Sequence, residues 1–300
     1  MGLALRKGRP TSTPLWLATR MATSITSSNQ TPHNPLEGDR PELTVKLHEN
    51  TDEHISIIIV HKDRPEYLNI CLQSIAVTSF NNNYEIIVVD NASPNMDPDE
   101  LSRRYPTIKL IKSSTNLGFA KGNNLGIEHA AGKYILLINS DCELINNAPK
   151  ICYDFMEKTP SCGMTTVQLQ YPDGKLQYNC RKFRSISWEL LEIIPLYLLL
   201  NKQKREELML HHYFRHDRQV SCDWVWGAYM FFPKAILDQL PSKKLSEDFF
   251  MYCEDTLWCW EFKTLEQEII FLPEGKVMHV HKGSSKSKEK IKANKRMSNE

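Results

Sequence analysis

Apolar and polar positions alternate in blocks between residues 55 and 141. Short continuous apolar runs predict strands buried on both faces, and apolar residues three or four positions apart predict helices. Strand and helix alternate with a period of about 30 residues, which predicts an α/β fold with a mostly parallel, doubly wound sheet. The predicted strands are 55–60, 85–89, 108–111 and 134–138, and the predicted helices begin near Pro65, Leu101 and Asn116.

The pattern from residue 146 onward is less regular. Residues 1–53 have no apolar period and are rich in Thr, Ser, Pro and Asn, while 286–300 are rich in Lys and Ser. We therefore predict one folded domain over 54–285 between a disordered leader and a basic disordered tail. Its predicted later elements are strands at 164–170, 224–232, 269–272 and 277–280, and helices at 188–200, 202–213, 233–240 and 254–265.

Polar residues directly follow three of the predicted strands, at 61–64, 90–93 and 139–141. Each set alone is typical of an ordinary turn. Ligands, however, bind doubly wound sheets at the carboxyl ends of the strands. The three sets together therefore predict a site at this edge of the sheet.

Composition and charge narrow the class of protein. The 300-residue chain has a net charge of +1. It has no apolar run near about 18 residues, so no transmembrane helix is predicted. Its eight cysteines include no CxxC pair, which disfavours a zinc ribbon and favours a reducing, cytoplasmic compartment. A transit peptide in residues 1–31, which contain no acidic residue, is the alternative.

Charge is unevenly distributed along the chain. Residues 174–218 carry nine basic and five acidic residues around the apolar run 188–200. This combination favours either association with an anionic membrane surface or a helical cover packed on the sheet. Nucleic-acid binding is not predicted, because no recognised nucleic-acid module accompanies the charge.

The order and spacing of the polar motifs resemble those of the family 2 glycosyltransferases, which have the GT-A fold, and most closely the rhamnosyltransferase-like subgroup. The resemblance implies a nucleotide-binding half at 54–145 and an acceptor-binding half at 146–285, with a helical insert in the second. The motifs that carry it are 55–60, 90–93, 116–124 (Asn-Leu-Gly-Phe-Ala-Lys-Gly-Asn-Asn), 137–141 (Leu-Ile-Asn-Ser-Asp), 223–230, 249–255 and 279–284.

The resemblance implies a divalent metal, Mg²⁺ or Mn²⁺, that stabilises a diphosphate leaving group as a Lewis acid. The metal motif of the family is usually Asp-x-Asp, but here Asn139 replaces the first aspartate and leaves Asp141 as the anchor. His279 matches the late histidine of the family and is the predicted second ligand. The alternatives are a hydrogen-bonded surface role for His279, or ligation by His281.

The resemblance also implies a set of contacts to a nucleotide-sugar. Asp90 would accept hydrogen bonds from a pyrimidine base or ribose, and Gly118, at a helix start, would admit the diphosphate. Arg64 would pair with phosphate or be a solvated turn residue, and 116–124 would line the donor or form a plain helix cap. The predicted set is Val60, Arg64, Asp90, Asn91, Ser93, Asn116, Gly118, Asn123, Asn124, Asn139, Ser140 and Gly227.

The acceptor hydroxyl must lose a proton as it attacks, which requires a base within hydrogen-bond reach. The Glu-Asp pair of the family corresponds to Glu254 and Asp255, and we predict Asp255 as the base with Glu254 in support. An acidic pair that complements the dipole of the following helix is the alternative, and both roles can coexist. Leu257 and Glu261 depart from the family pattern, which often has Asp and Arg there.

The implied activity is inverting, metal-dependent transfer of a sugar from a nucleotide-sugar to a glycan or lipid-linked glycan in cell-surface polysaccharide synthesis. The implied donor is dTDP-rhamnose, with UDP-sugars next. Three alternatives remain at this point: a UDP-sugar-dependent transferase, a nucleotidyltransferase, and a catalytically degenerate GT-A domain that only binds glycan or a partner.

Overall fold

The computed structural model describes residues 55–78, 84–94, 97–183, 185, 189–190 and 196–280. The predicted leader and tail, His281, and residues 188 and 191–195 of the predicted helix at 188–200 lie outside the described residues. The main sheet contains ten strands among these residues.

Residues 55–138 have the predicted order of strands and helices. Strands β1 to β4 are parallel neighbours, with β1 between β2 and β4. The elements are β1 (Ile55–His61), α1 (Pro65–Val77), β2 (Tyr84–Asn91), α2 (Pro98–Arg104), β3 (Lys109–Ser113), α3 (Gly118–Glu128) and β4 (Tyr134–Ile138).

The apolar runs form strands because both faces of the sheet are covered. Ile57 and Ile59 pack in one hydrophobic cluster, and Ile58, which points to the opposite face, packs in the other. Helix α1 begins at Pro65, where the missing N–H costs nothing, and it buries Leu68, Cys71, Leu72 and Ile75 as its apolar stripe predicts.

The later part of the chain adds antiparallel strands to the sheet. Strand β11 runs antiparallel to β4, and β12 lies between β6 and β5. Further elements are β5 (Cys142–Leu144), α4 (Ala148–Lys158), β6 (Cys162–Gln170), β7 (Leu176–Gln177), β8 (Cys180–Arg181), α5 (Lys202–Met209), β9 (Val220–Cys222), β10 (Trp224–Val225), β11 (Tyr229–Pro233), α6 (Glu254–Thr264) and β12 (Glu268–His279), with 3-10 helices at Leu196–Leu199, His211–Tyr213 and Lys234–Gln239. The strand order in the main sheet is β3-β2-β1-β4-β11-β6-β12-β5, while β7 pairs with β6 and β9 pairs with β12.

Four predicted elements were wrong in their extent. The strand predicted at 224–232 is broken into β10 and β11 by a turn in which Tyr229 N donates to Trp226 O. The helix predicted at 202–213 ends at Met209, because Leu210 takes a positive φ of 47°. The strands predicted at 269–272 and 277–280 are one strand, β12, with a register irregularity between Leu272 and Lys276.

Five elements were not predicted: strands β5, β7, β8 and β9, and helix α4. Each of these strands has only two or three residues, too few to show a period. Helix α4 has Pro149 in its first turn and alternates apolar and charged residues. No helix among the described residues combines the length and apolar character needed to cross a bilayer.

Candidate functional site

The strand ends bring the predicted motifs together at one edge of the sheet. Residues 139–141 follow β4, and the neighbouring antiparallel strand β11 begins at the same level, since Tyr229 pairs with Ile138. Asn139 N donates to Ala228 O at 3.1 Å. His279, at the end of β12, pairs with Cys142. The late histidine and the strand-end aspartate therefore become neighbours.

Asp141 and His279 form the candidate metal site. Asp141 Oδ1 lies 3.4 Å from His279 Nε2, and both side chains are buried. Val280 N donates to Asp141 O at 3.0 Å, which ties the end of β12 to this loop. Asn139, in place of the first aspartate, puts its amide Nδ2 3.5 Å from His279 Nε2.

The donor set fits a divalent cation that also binds phosphate. Asp141, Cys142 and His279 place one candidate ligand atom each within 4.8 Å of the others. Burial raises the pKa of the Cys142 thiol well above its ordinary value, its Sγ donates to Ala228 O, and Mg²⁺ and Mn²⁺ prefer oxygen ligands to sulfur. One carboxylate oxygen and one imidazole nitrogen remain, which leaves other coordination positions for phosphate oxygens and water.

The loops after β1 and β2 are tied to each other. Asp90 Oδ1 accepts from Ser93 N at 3.0 Å, and Ser93 Oγ accepts from Asp63 N at 2.9 Å. Asp63 and Ala92 both have a φ of 58°, which is uncommon for residues with a Cβ. Lys62 Nζ donates to Ala92 O at 2.7 Å and so braces the second loop. The bracing holds Asp90 and Ser93 at the strand ends.

Val60 and Arg64 lie beside these loops. Val60 packs against Gly122 of α3, where an added Cβ would come within 2.9 Å of Val60 Cγ1. Arg64 lies at the start of α1 and its guanidinium forms an exposed ion pair with Glu66 at 3.6 Å. Burial lowers the pKa of nearby His61 to about 4, so its imidazole is neutral.

Three asparagines predicted to contact the nucleotide-sugar have amides that bond to the chain itself. Asn91 accepts from Leu117 N and donates to Gly118 O. Asn123 donates to Phe119 O, and Asn124 exchanges hydrogen bonds with Leu245 and also donates to Glu247. These bonds position the three side chains, and contact of the amides with a nucleotide-sugar stays a prediction.

The start of α3 has its own local structure. Asn116 Oδ1 accepts from Gly118 N at 3.1 Å, a bond typical of an Asx turn. Gly118 has a φ of 80°, and a Cβ there would lie 2.4 Å from Phe250 O. The glycine is therefore needed for the approach of the 249–252 loop, whose Phe250 O accepts from Phe119 N. Ser140 and Asn139 lie in the loop between β4 and β5. Ser140 is buried.

Asp255, the predicted base, opens α6 beside the turn between β10 and β11. Its Oδ2 accepts from Gly227 N at 3.2 Å and its Oδ1 from Thr256 N at 2.8 Å. Burial raises its pKa, and these bonds and the charge of Arg181 oppose the rise. Gly227 thus contacts Asp255 through its backbone.

Glu254 is also buried, and burial raises its pKa to about 7, with a smaller contribution from the charge of Asp255. Its Oε2 has no hydrogen-bond partner among the described residues. The preceding Cys253 takes a left-handed φ of 70°, which turns the chain sharply into α6. Both carboxyl groups thus lie at the helix N-terminus, where the helix dipole favours their charged forms.

Arg181 is a site residue that the sequence analysis placed only in the basic segment. Its guanidinium lies 5.0 Å from the ring of Trp224 and 5.4 Å from that of Trp226, and its Nε donates to Tyr178 O. Its charge acts on Asp255. The two tryptophans that precede Gly227 could have indicated a cation partner, but no spacing rule points to residue 181.

Comparisons with known proteins agree on the family. The family model "Glycosyl transferase family 2" matches residues 56–222, more than half of the chain. The low-salt glycan biosynthesis hexosyltransferase Agl10 of Haloferax volcanii is 25% identical over 234 residues, which cover 72% of this chain and 64% of that protein. The chain spans only 10% to 23% of the length of several other curated relatives.

Solved structures share the fold at low identity. Residues 1–349 of TarS from S. aureus match with a TM-score of 0.51 at 17% identity, over 76% of this chain and 61% of that one. GalNAc-T7, solved with UDP, GalNAc and Mn²⁺, matches with a TM-score of 0.57 at 12% identity, over 75% and 43%. The predicted GT-A fold is thereby confirmed, and the chain belongs to glycosyl transferase family 2.

Proposed function

We propose that this chain is an inverting, metal-dependent glycosyltransferase that moves a sugar from a nucleoside diphosphate to a hydroxyl group of a glycan or lipid-linked glycan. One observation carries the proposal. The turn between β10 and β11 is hydrogen-bonded to both the candidate metal site and the candidate base. Ala228 O accepts from Asn139 N, and Gly227 N donates to Asp255. A base and a metal site are thus held at fixed positions on one short turn.

The proposed reaction is a single displacement. The acceptor oxygen forms a bond to the anomeric carbon as the bond from that carbon to the diphosphate oxygen breaks, and the hydroxyl proton passes to Asp255. Asp141 and His279 would hold the metal, which supplies Lewis-acid stabilisation of the leaving diphosphate. Attack on the face opposite the leaving group inverts the anomeric configuration.

We propose dTDP-rhamnose as the donor, with UDP-sugars as the next candidates, because the motifs resemble the rhamnosyltransferase-like subgroup most. A donor panel tests this choice. The purified chain is incubated with Mn²⁺, an acceptor glycan and each of dTDP-rhamnose, UDP-glucose and UDP-GlcNAc, and nucleoside diphosphate release is followed. Turnover with dTDP-rhamnose alone supports the choice, and turnover with only a UDP-sugar contradicts it.

A binding module without activity is the second candidate. Leu257 and Glu261 depart from the family pattern on α6, and burial raises the pKa of Glu261 where the family often has an arginine. This reading predicts calorimetric binding of a donor without release of nucleoside diphosphate in any donor–acceptor pair. Catalytic turnover excludes it.

Arg181 should set the pH dependence of transfer. A base works only when deprotonated, so activity rises with pH through the pKa of Asp255. Removing the nearby cation in Arg181→Met raises that pKa, and we expect the acidic limb of the pH–rate profile to move to higher pH. Arg181→Lys keeps the charge and is the matched control. A limb that stays in place in Arg181→Met, in a protein with unchanged near-UV circular dichroism, contradicts this role.

The 249–252 loop supports a lipid-linked acceptor and contact with the cytoplasmic face of a membrane. Its four residues, Phe249 to Tyr252, are 42% to 69% exposed, and they directly precede Glu254 and Asp255. Exposed apolar residues in sequence are typical of an interaction surface. Association of the basic 174–218 segment with anionic lipid would add to this contact.

We expect the triple variant Phe249→Ser, Met251→Ser, Tyr252→Ser to lower kcat/KM about tenfold for a polyprenyl-linked acceptor. The kcat/KM for a water-soluble glycan acceptor should stay unchanged. The reason is that the variant loses only the free energy of burying these three side chains against lipid, which is a few kcal/mol at most. Val77→Ser, 74% exposed at the end of α1, is the control. An equal loss for both acceptors would point to damage at Asp255 instead.

A further inference from the structure

Gln177 brackets the candidate metal ligand His279 with both ends of its amide. Gln177 is buried in β7, on the opposite side of β6 from β12. Its Nε2 donates to the backbone carbonyl of His279 at 2.7 Å, and its Oε1 lies 2.7 Å from His279 Nδ1. Two short bonds thus join one amide to one residue.

The two contacts fix the position of the imidazole proton. A backbone carbonyl can only accept a hydrogen bond, so the end of the Gln177 amide that faces it must be the NH₂ group. The other end is then the oxygen, which can only accept. His279 Nδ1 must therefore carry the hydrogen, and in a neutral imidazole Nε2 holds the lone pair.

That lone pair faces a carboxylate. His279 Nε2 lies 3.4 Å from Asp141 Oδ1. A lone pair and a carboxylate oxygen at this distance repel each other unless a proton or a metal cation lies between them. Hydrogen bonds to the far nitrogen of a metal-binding histidine fix the ring and raise its basicity.

We infer that Gln177 is a positioning residue that holds His279 in the Nδ1–H tautomer and so presents Nε2 beside Asp141. The benefit to metal binding rests on the proposed function, whereas the tautomer does not. Gln170 offers a chemically matched control. It lies in β6, where it pairs with Leu176, the residue next to Gln177 in β7.

The tautomer is measured first, on the metal-free protein. The full chain is labelled with ¹⁵N-histidine, and His279→Asn assigns the His279 signals in long-range ¹H–¹⁵N spectra at alkaline pH. We expect wild type and Gln170→Met to show a protonated Nδ1 and an unprotonated Nε2, and Gln177→Met to show a mixture of tautomers. Gln177→Glu keeps an acceptor for Nδ1–H and should keep the wild-type tautomer. An unchanged tautomer in Gln177→Met overturns the inference.

Metal affinity is measured second, by electron paramagnetic resonance of Mn²⁺ in the presence of UDP. We expect Gln177→Met to weaken Mn²⁺ binding about 10- to 100-fold, with Gln170→Met unchanged. If His279→Asn loses Mn²⁺ and Gln177→Met does not, the positioning role fails and the metal site stands. If wild type and His279→Asn bind Mn²⁺ equally, the proposed metal site fails, and the tautomer alone decides the role of Gln177.

Discussion

Replacing Asp255 with asparagine should lower kcat for sugar transfer by about 10²- to 10⁴-fold and leave nucleotide binding intact. General-base catalysis contributes a factor of this size. Asparagine keeps the shape of the side chain and one of the two acceptor oxygens, so it can still accept from either Gly227 N or Thr256 N and should preserve most of the turn into α6. Steady-state rates of nucleoside diphosphate release measure the loss, and calorimetry with dTDP and UDP measures the binding.

Asp248 supplies the matched control for this substitution. It is an exposed carboxylate directly before the 249–252 loop, seven positions before Asp255. Asp248→Asn should transfer sugar at the wild-type rate. Full activity in Asp255→Asn would refute the assignment of the base, and loss of nucleotide binding in that variant would show that the substitution had damaged the donor site instead.

Replacing either candidate metal ligand should have the second large effect. In Asp141→Asn and His279→Ala we expect Mn²⁺ affinity to collapse and transfer to fall about a thousandfold, because metal stabilisation of the leaving group contributes about 4 kcal/mol at 1.36 kcal/mol per tenfold. Mn²⁺ titration followed by electron paramagnetic resonance measures the affinity with UDP present.

The controls separate ligation from general electrostatics. Asp154→Asn removes an exposed carboxylate that pairs with Lys150 on α4, and it should bind Mn²⁺ as wild type does. His281→Ala tests the rival histidine, which lies outside the described residues. Unchanged Mn²⁺ affinity in both Asp141→Asn and His279→Ala would exclude the pair as the metal site, and a loss in His281→Ala alone would assign the ligand to the rival.

Residues 55–138 were predictable because three of their four strands, β1, β2 and β4, are buried on both faces. A continuous apolar run such as 55–60 has few alternatives once polar turns and helical stripes flank it on either side. The later part of the chain lacks such regularly alternating apolar runs, polar turns and helical stripes. A single residue, Leu210 with its positive φ, ends a helix that the charge pattern would have continued.

Side-chain roles were harder to predict than elements. Asn124 lies in a motif that resembles a donor-binding loop, yet its amide bonds to Leu245, 121 positions away, and nothing local indicates that partner. The Asn139–His279 contact spans 140 positions and was foreseeable only through the resemblance to a family. Arg181 and Gln177 belong to short strands whose pairing depends on the tertiary fold, so their roles emerge only from coordinates.

The most direct test of the central claim is an NMR time course of the wild-type chain with Mn²⁺, a nucleotide-sugar and a lipid-linked glycan acceptor. We predict that a new glycosidic product appears in step with nucleoside diphosphate and carries the inverted anomeric configuration. A product with retained configuration, or no product with any donor of the dTDP- and UDP-sugar panel, would contradict the account.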